Sequence, residues 1–340
     1  MSVKKQNTRL VDVANYLGVS VSTVSRALND NYDISKEMKE KVLEAVNQLN
    51  YTPNETAKNL VTQKSNTVAA IIPDILNPFY SELIKSIETV LSKNHFTLIL
   101  CITNESDIQV DYYLNEMLKK RVSGILLLST VVKNKALLEK IKENTIVVGV
   151  STSYDDIDQV VSKSKDETYA MIRHLIELGH RRIAFLGYKL YEDNNLSNRL
   201  LGYKNALEDA GIAYDQSLVI DGQPIENPGY EGAMQILKMK DRPTAIHCMN
   251  EYLAMGAYVA IGEAGLAIPN DISFTAYDGL EITKLIRPRL TTIKIPVAAM
   301  GEAAAELILQ RILFGKKKER QLLLFDSKII IGASTAPPLV

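Results

Sequence analysis

The chain has 340 residues, 46% of them hydrophobic and 23% charged, with 39 basic side chains against 40 acidic ones. That is the make-up of an ordinary globular protein, long enough for roughly two to three domains of about 100–200 residues each. The near-zero net charge excludes a protein that grips polyanions by bulk charge alone, and no apolar run nears the ~18 residues that span a bilayer.

The opening segment, Met1 to Arg9, is polar and has no hydrophobic signal region, so a cytoplasmic address is expected. Leu10, Val13, Ala14 and Leu17 then fall on one face of a helix, with Thr8 placed as its N-cap and Gly18 as its stop. Ser20 can cap a second helix, in which Val24, Ala27 and Leu28 point inward. After a turn-rich stretch, Asn29 to Asp33, Ser35 can cap a third, whose Met38, Val42, Ala45, Val46 and Leu49 keep helical spacing. Three short helices with a tight turn between the first two make a helix-turn-helix unit.

Residues 53–60 form a short segment that begins with Pro53, a residue suited to a first helical position. It is well below the ~12–15 residues an isolated helix needs in water. Residues 61–67 read as a polar linker. From Val68 the pattern changes to short apolar runs alternating with longer amphipathic ones. Strands are expected at Val68–Ile72, Thr97–Ile102, Gly124–Leu128, Ile146–Val150, Arg182–Leu186, Leu218–Ile220, Ala245–Met249 and Ile272–Ala276. Helices such as Tyr80–Lys93, Asp107–Lys120, Glu167–Leu178 and Leu200–Ala210 separate them. This alternation predicts two parallel sheets covered on both faces, with the change of sheet near Ser162–Asp166. A final helix, Val297–Phe314, precedes two strands, Gln321–Phe325 and Lys328–Ile331, that can return to either sheet.

The second helix carries chemistry on its outer face. Val21, Ser22, Ser25, Arg26 and Asn29 point outward, and Ser22 and Arg26, four apart, share a side. Small residues let a helix approach a major groove closely, and an Arg there can pair with guanine or bind phosphate. Thr23, Ser25 and Asn29 have donors suited to phosphate oxygens. Charge adds little support, because residues 1–60 hold eight basic groups against seven acidic ones, a sum of +1. An amphipathic three-helix bundle without DNA contacts has the same pattern.

Residues 10–60 resemble the headpiece of the lactose-repressor/galactose-repressor family of bacterial transcription regulators. The resemblance rests on Leu10-Val11-Asp12-Val13-Ala14, on Gly18 through Asn29, on Lys41-Val42-Leu43-Glu44-Ala45 and on Leu49 through Asn54. It continues through Ile72 to Tyr80, His174 to Ala184, Arg199 to Tyr203, Pro269 to Ile272, Leu290 to Ile293 and Ala333 to Pro337, so it covers nearly the whole chain. The family implies an all-α headpiece followed by a two-lobed α/β sensor, similar to periplasmic sugar-binding proteins, that hinges over a small ligand. It also implies that Asn54, Ala57, Lys58 and Leu60 belong to a hinge helix that pairs with its copy in the minor groove, with Leu60 as an apolar wedge.

Ligands of open parallel sheets meet the loops after strand C-terminal ends. Asp74, Ser129, Asn250, Glu251 and Asp278 occupy such places, and Phe79 can stack on a sugar face. Arg199 matches the family's ligand-binding Arg, three residues before Gly202. Each also has a plain alternative: Asp74 and Asp278 can serve turns, and Arg199 a surface ion pair. The chain departs from the family at Glu251, where Asp is usual, and at Ser162-Lys163-Ser164-Lys165, where Val-Asp-Asn is frequent. The lysines suggest an anionic effector such as a sugar acid or phosphosugar, but a solvated crossover strand is the preferred reading.

The expected organisation is a headpiece at 1–52, a hinge and linker at 53–67 and a sensor at 68–340. Within the sensor, the first lobe takes about 68–162 and 293–324, the second about 163–292 and 325–340. The expected function is a homodimeric, DNA-binding repressor controlled by a small sugar-like effector. Cys101 and Cys248 read as buried thiols, and the four histidines lack metal-ligand spacing. No metal, cofactor or catalytic residue is expected. A transport-type sugar-binding protein would need an export signal in place of residues 1–60. A Rossmann-type enzyme would need a glycine-rich turn after its first strand, where Pro73-Asp74-Ile75-Leu76 stands.

Overall fold

The computed structural model describes residues 8–28, 30–51, 65–154, 156–188, 195–222, 227–315 and 319–339. The chain divides into two compact units, Met1–Lys64 and Ser65–Val340. Among the described residues, no helix is long and apolar enough to cross a membrane.

The first unit holds α1 (Leu10–Leu17), α2 (Val21–Leu28) and α3 (Lys36–Gln48). Their small core is Val13, Ala14, Val24, Ala27, Val42 and Ala45, with Leu10, Leu17, Leu28, Met38 and Leu49 packed around it. Gly18 ends α1 with φ +67°, a conformation in which a side chain is strained. Ser20 Oγ accepts the Thr23 N–H at 3.0 Å, and Ser35 Oγ accepts that of Met38 at 3.3 Å. Thr8 departs from expectation. Arg9 is the N-cap of α1, with Asp12 accepting its backbone N–H at 2.7 Å. The Thr8 hydroxyl instead donates to the Leu49 carbonyl at 2.9 Å and fastens the start of α1 to the end of α3.

The second unit opens with β1 (Thr67–Ile72), α4 (Pro78–Lys93), β2 (Thr97–Ile102), α5 (Asp107–Lys120), β3 (Gly124–Leu128), α6 (Lys135–Asn144), β4 (Ile146–Val150) and β5 (Asp158–Ser162). It continues with α7 (Ser164–Glu177), β6 (Ile183–Tyr188), α8 (Asn195–Asp209), β7 (Val219–Gly222), α9 (Pro228–Leu237), β8 (Ala245–Cys248), α10 (Glu251–Glu263) and β9 (Ser273–Asp278). Last come β10 (Thr291–Lys294), α11 (Val297–Phe314), β11 (Leu322–Phe325) and β12 (Lys328–Ile330).

Two six-stranded sheets result, in the orders β11-β5-β4-β3-β1-β2 and β12-β10-β9-β8-β6-β7. Every pairing is parallel except β10 with β12. Central strands such as β3, β6 and β9 are buried along their whole length, as strands covered on both faces must be. The chain passes between lobes at 162–164, 294–297 and 325–328. The second passage therefore follows β10, slightly later than the expected 293. The expected indecision over the last two strands is resolved by β11 joining the first sheet and β12 the second.

The first sheet's edge depends on a buried ion pair. Arg311 on α11 donates through Nε and Nη2 to the two carboxylate oxygens of Asp158 at 2.6 and 2.8 Å. Asp158 also accepts the Gln321 N–H at 2.7 Å, which brings β11 to β5. Removing one partner leaves a buried charge unpaired. Arg311→Leu is therefore expected to cost the second unit about 3–5 kcal/mol in urea melts. Arg320→Leu, at an exposed position, is expected to stay within about 0.5 kcal/mol.

Candidate nucleic-acid interface and ligand cleft

On α2, Val24 and Ala27 are buried, while Val21, Ser22 and Arg26 are exposed and Thr23 and Ser25 partly so. Ser20 Oγ lies 2.7 Å from Ser22 Oγ and 2.8 Å from Thr23 Oγ1, so the hydroxyls gather at the helix start. Backbone N–H groups and hydroxyls at a helix N-terminus are natural partners for phosphate. Arg26 Nη1 meets Asp33 Oδ2 at 2.6 Å, and its Nε donates to the Ser22 carbonyl at 3.4 Å. The guanidinium is thereby held along the outer face of α2, half exposed. Asn29, Asn54, Ala57, Lys58 and Leu60 lie outside the described residues.

In each sheet of the second unit the strand order reverses once: β1 lies between β2 and β3, and β6 between β7 and β8. Side chains from the strand ends near these reversals line one cleft. Pro73 and Asn77 follow β1, Thr103 and Glu105 follow β2, and Ser129 and Ser151 follow β3 and β4. Tyr188 and Asp278 end β6 and β9, and Asn250 follows β8. Phe79 and Tyr80 enter from α4, and Arg199 from α8.

Arg199 and Asp278 lie at the floor, both almost wholly buried. The guanidinium donates through Nη1 to the Met249 carbonyl, lies 3.7 Å from Asp278 through Nη2, and stacks with Cζ 3.6 Å from the Tyr277 ring centroid. Burial pushes the Asp278 carboxyl up to about 7, against the pull of Arg199 and with a further push from Glu251. Burial also raises the phenols of Tyr80 and Tyr188, so both present neutral hydroxyls. The backbone at Asp278 has φ +116°, and a Cβ on the following Gly279 would meet Lys294 Cα at 2.4 Å. Such a conformation persists only where its surroundings enforce it. Glu251 supplies part of that enforcement, because its Oε2 accepts the Leu280 N–H at 2.6 Å and the Thr283 hydroxyl at 3.1 Å.

Residues 9–54 match the family model described as bacterial regulatory proteins, lacI family, and residues 172–335 match a periplasmic binding protein-like domain. The ribose operon repressor of Haemophilus influenzae is 33% identical over 314 residues, which cover 92% of this chain and 94% of that protein. The chain belongs to the lacI family of bacterial regulatory proteins. The lac repressor dimer bound to operator and the anti-inducer ONPF superposes with a TM-score of 0.85 at 27% identity, over 97% of this chain and all of that one. A lacI-family regulator from Enterococcus faecium with bound ribose is 31% identical, with a TM-score of 0.72 over 80% of this chain and 99% of that one.

This lacI-family chain is therefore a DNA-binding regulator of transcription with a helix-turn-helix headpiece and a two-lobed α/β unit. Of the residues singled out from sequence, Phe79, Ser129, Arg199, Asn250 and Asp278 meet in the cleft. Asp74 does not: its carboxylate accepts the Leu76 N–H at 2.8 Å and serves a turn. Glu251 sits beneath the cleft rather than on its wall. Lys163 and Lys165 are exposed, do not line the cleft, and Lys163 pairs with Asp326 at 2.7 Å. Ser151, Tyr80 and Tyr188 are additional wall residues. Ser151 was accessible to the same rule that found Ser129, since it follows a strand. Tyr188 was hidden because β6 runs two residues beyond its apolar core.

His247 is pushed down to about 3 by full burial beside Phe185, and His180 spans Thr244 and the Ala336 carbonyl at 2.8 and 2.9 Å. Both are packing groups away from the cleft. Among the described residues no cluster is arranged to hold a metal ion.

The buried carboxyls set a pH dependence. Asp278 rises from 3.8 to about 7 on folding, and Glu251 shifts in the same direction. Between about pH 4 and 7 these two carboxyls hold more protons in the folded chain than in the unfolded one and so lower stability as pH rises, while His247, His174 and His180, whose imidazoles burial holds down, act in the opposite direction. Urea melts across this range are expected to show the Asp278 contribution as a difference: Asp278→Asn removes the falling component, so the variant's stability relative to the parent rises with pH. An unchanged slope in the variant would assign the effect elsewhere.

Proposed function

We propose that the chain is a cytoplasmic, non-catalytic repressor that acts as a homodimer on operator DNA and is controlled by a small sugar or sugar derivative. The observation that carries this is the cleft: one buried guanidinium, one buried carboxyl, two amides and several hydroxyls converge beside Phe79, Tyr80 and Tyr188. Vicinal hydroxyls suit bidentate hydrogen bonding to such groups, and a pyranose or furanose face suits an aromatic wall. The relatives point the same way, to ribose and to operator DNA. A neutral polyol fits better than an anion, since Glu105, Asp107 and Asp278 line the cleft and Arg199 is the one cation among its described wall residues.

In this reading the headpiece is 1–52 and residues 53–67 form the hinge, with Asn54, Ala57, Lys58 and Leu60 meeting the minor groove. Val21, Ser22, Thr23, Ser25, Arg26 and Asn29 face the major groove. One headpiece makes few contacts, and two on a near-palindromic site multiply affinity through effective concentration. Effector binding changes the lobe arrangement and with it the order of the hinge.

Selection of genomic fragments by the full chain at ~0.1 M salt tests the reading. The expected result is a near-palindromic consensus whose binding changes when a sugar from a monosaccharide panel is added. Recovery of no preferred sequence, with and without sugars, refutes it. On the selected site, Arg26→Ala is expected to cost about 1–3 kcal/mol at one base position. Uniform weakening across all sequences would make Arg26 a phosphate contact. Arg199→Ala is expected to abolish the sugar response and leave operator binding intact.

A further inference from the structure

Tyr277 stands between the cleft and the passages that join the lobes. Its ring faces the cleft-lining Arg199, with Cζ 3.6 Å from the ring centroid. Its hydroxyl points away from the ligand space, to the first passage. There it donates to Glu167 Oε2 and lies 2.9 Å from Ser162 Oγ. A phenol has one proton, and Glu167 takes it, so Ser162 is the donor in the second bond. Ser162 is the last residue of β5 in the first sheet, whereas Glu167 lies in the first turn of α7 and Tyr277 on β9 in the second lobe.

The remaining passages are adjacent. Ser162 pairs with Phe325 at the end of β11, and Tyr277 pairs with Ile293 on β10. The Tyr277 side chain is fully buried in the same apolar cluster as Val160 of the first lobe and Met171 of the second. The groups around its hydroxyl are therefore held without bulk solvent. Among the described residues, Glu167 Oε1 and Arg199 Nε are buried and meet no partner, so both ends of the chain Arg199–Tyr277–Glu167 keep an unused polar valence there. Buried groups in that state gain most from a small rearrangement that satisfies them.

We propose that Tyr277 is a positioning residue that fixes the lobe arrangement through its hydroxyl and ties it to the cleft through Arg199. The ring responds to the guanidinium, and the hydroxyl holds one strand end of the first lobe against one helix start of the second. A ligand that engages Arg199 draws on the same stack, and the two-lobe equilibrium shifts by the difference in that interaction between arrangements. This last step rests on the proposed effector reading; the latch itself does not.

The test uses the full chain with spin labels at Lys93→Cys and Gln235→Cys, both exposed and one in each lobe. Cys101 and Cys248 are buried and stay unlabelled. Distance distributions by pulsed dipolar spectroscopy are measured without ligand. In the Tyr277→Phe background, which keeps the ring and loses only the hydroxyl, the distribution is expected to broaden about twofold or to shift. Glu167→Ala is expected to do the same, and Glu167→Gln, which retains an acceptor, to restore the parent distribution. A simple packing role would lower the melting temperature and leave the distribution as in the parent, and that outcome overturns the proposal. A parallel titration with the monosaccharide panel judges the effector reading separately. If no sugar binds any form of the protein, that reading fails while the distance data still decide the latch.

Discussion

The second unit is organised around one costly act, the burial of a guanidinium and a carboxyl at the floor of a cleft. Arg199 and Asp278 lose nearly all contact with water. Their separation of 3.7 Å is too long for an ideal ion pair, and the Asp278 carboxyl is pushed up to about 7. Their mutual attraction thus falls short of full compensation. The remainder comes from a ring face, a backbone carbonyl and a strained turn that surrounding groups enforce. A site in this condition suits the hydroxyl-bearing ligand proposed above.

The same logic explains why groups just outside the cleft matter. Glu251 does not reach the ligand space, yet it holds Leu280 and Thr283 and so the left-handed backbone at Asp278 and Gly279. Tyr277 presents its ring to Arg199 and its hydroxyl to the lobe passage. Both residues are consecutive links between packing, turn geometry and the wall. The headpiece works on a smaller scale. Its six-residue buried core is slight, so capping by Ser20 and Ser35 and the Thr8 tie contribute a large share of its order. Arg26 is held by Asp33, so the nucleic-acid contact proposed for it must outcompete that carboxylate.

Much of this was legible in the sequence because the relevant signals are local. Apolar periodicity marked α1, α2 and α3, and apolar runs marked strands such as β2, β3 and β4 to the residue. The rule that ligands meet strand ends brought Ser129, Asn250 and Asp278 to the cleft. What was not legible depends on tertiary partners. The strand β5 begins with Asp158 and Gln159, polar residues buried only because Arg311 and the Tyr154 carbonyl meet them. Asp74 and Asp278 both follow strands and are alike in chemistry. Only the chain path shows that one turns back onto Leu76 and the other faces Arg199. The Ser162–Lys165 stretch likewise admitted two readings until Lys163 was found against Asp326.

The proposed control of DNA binding by a ligand in the cleft is a linkage, and linkage is reciprocal. The most direct measurement is therefore calorimetric titration of the full chain with the panel-selected sugar, alone and saturated with its selected operator duplex. The sugar's affinity is expected to change on DNA by the same factor by which the sugar changes operator affinity. Equal sugar affinities with and without operator, alongside intact operator binding, would contradict control of the headpiece by the cleft.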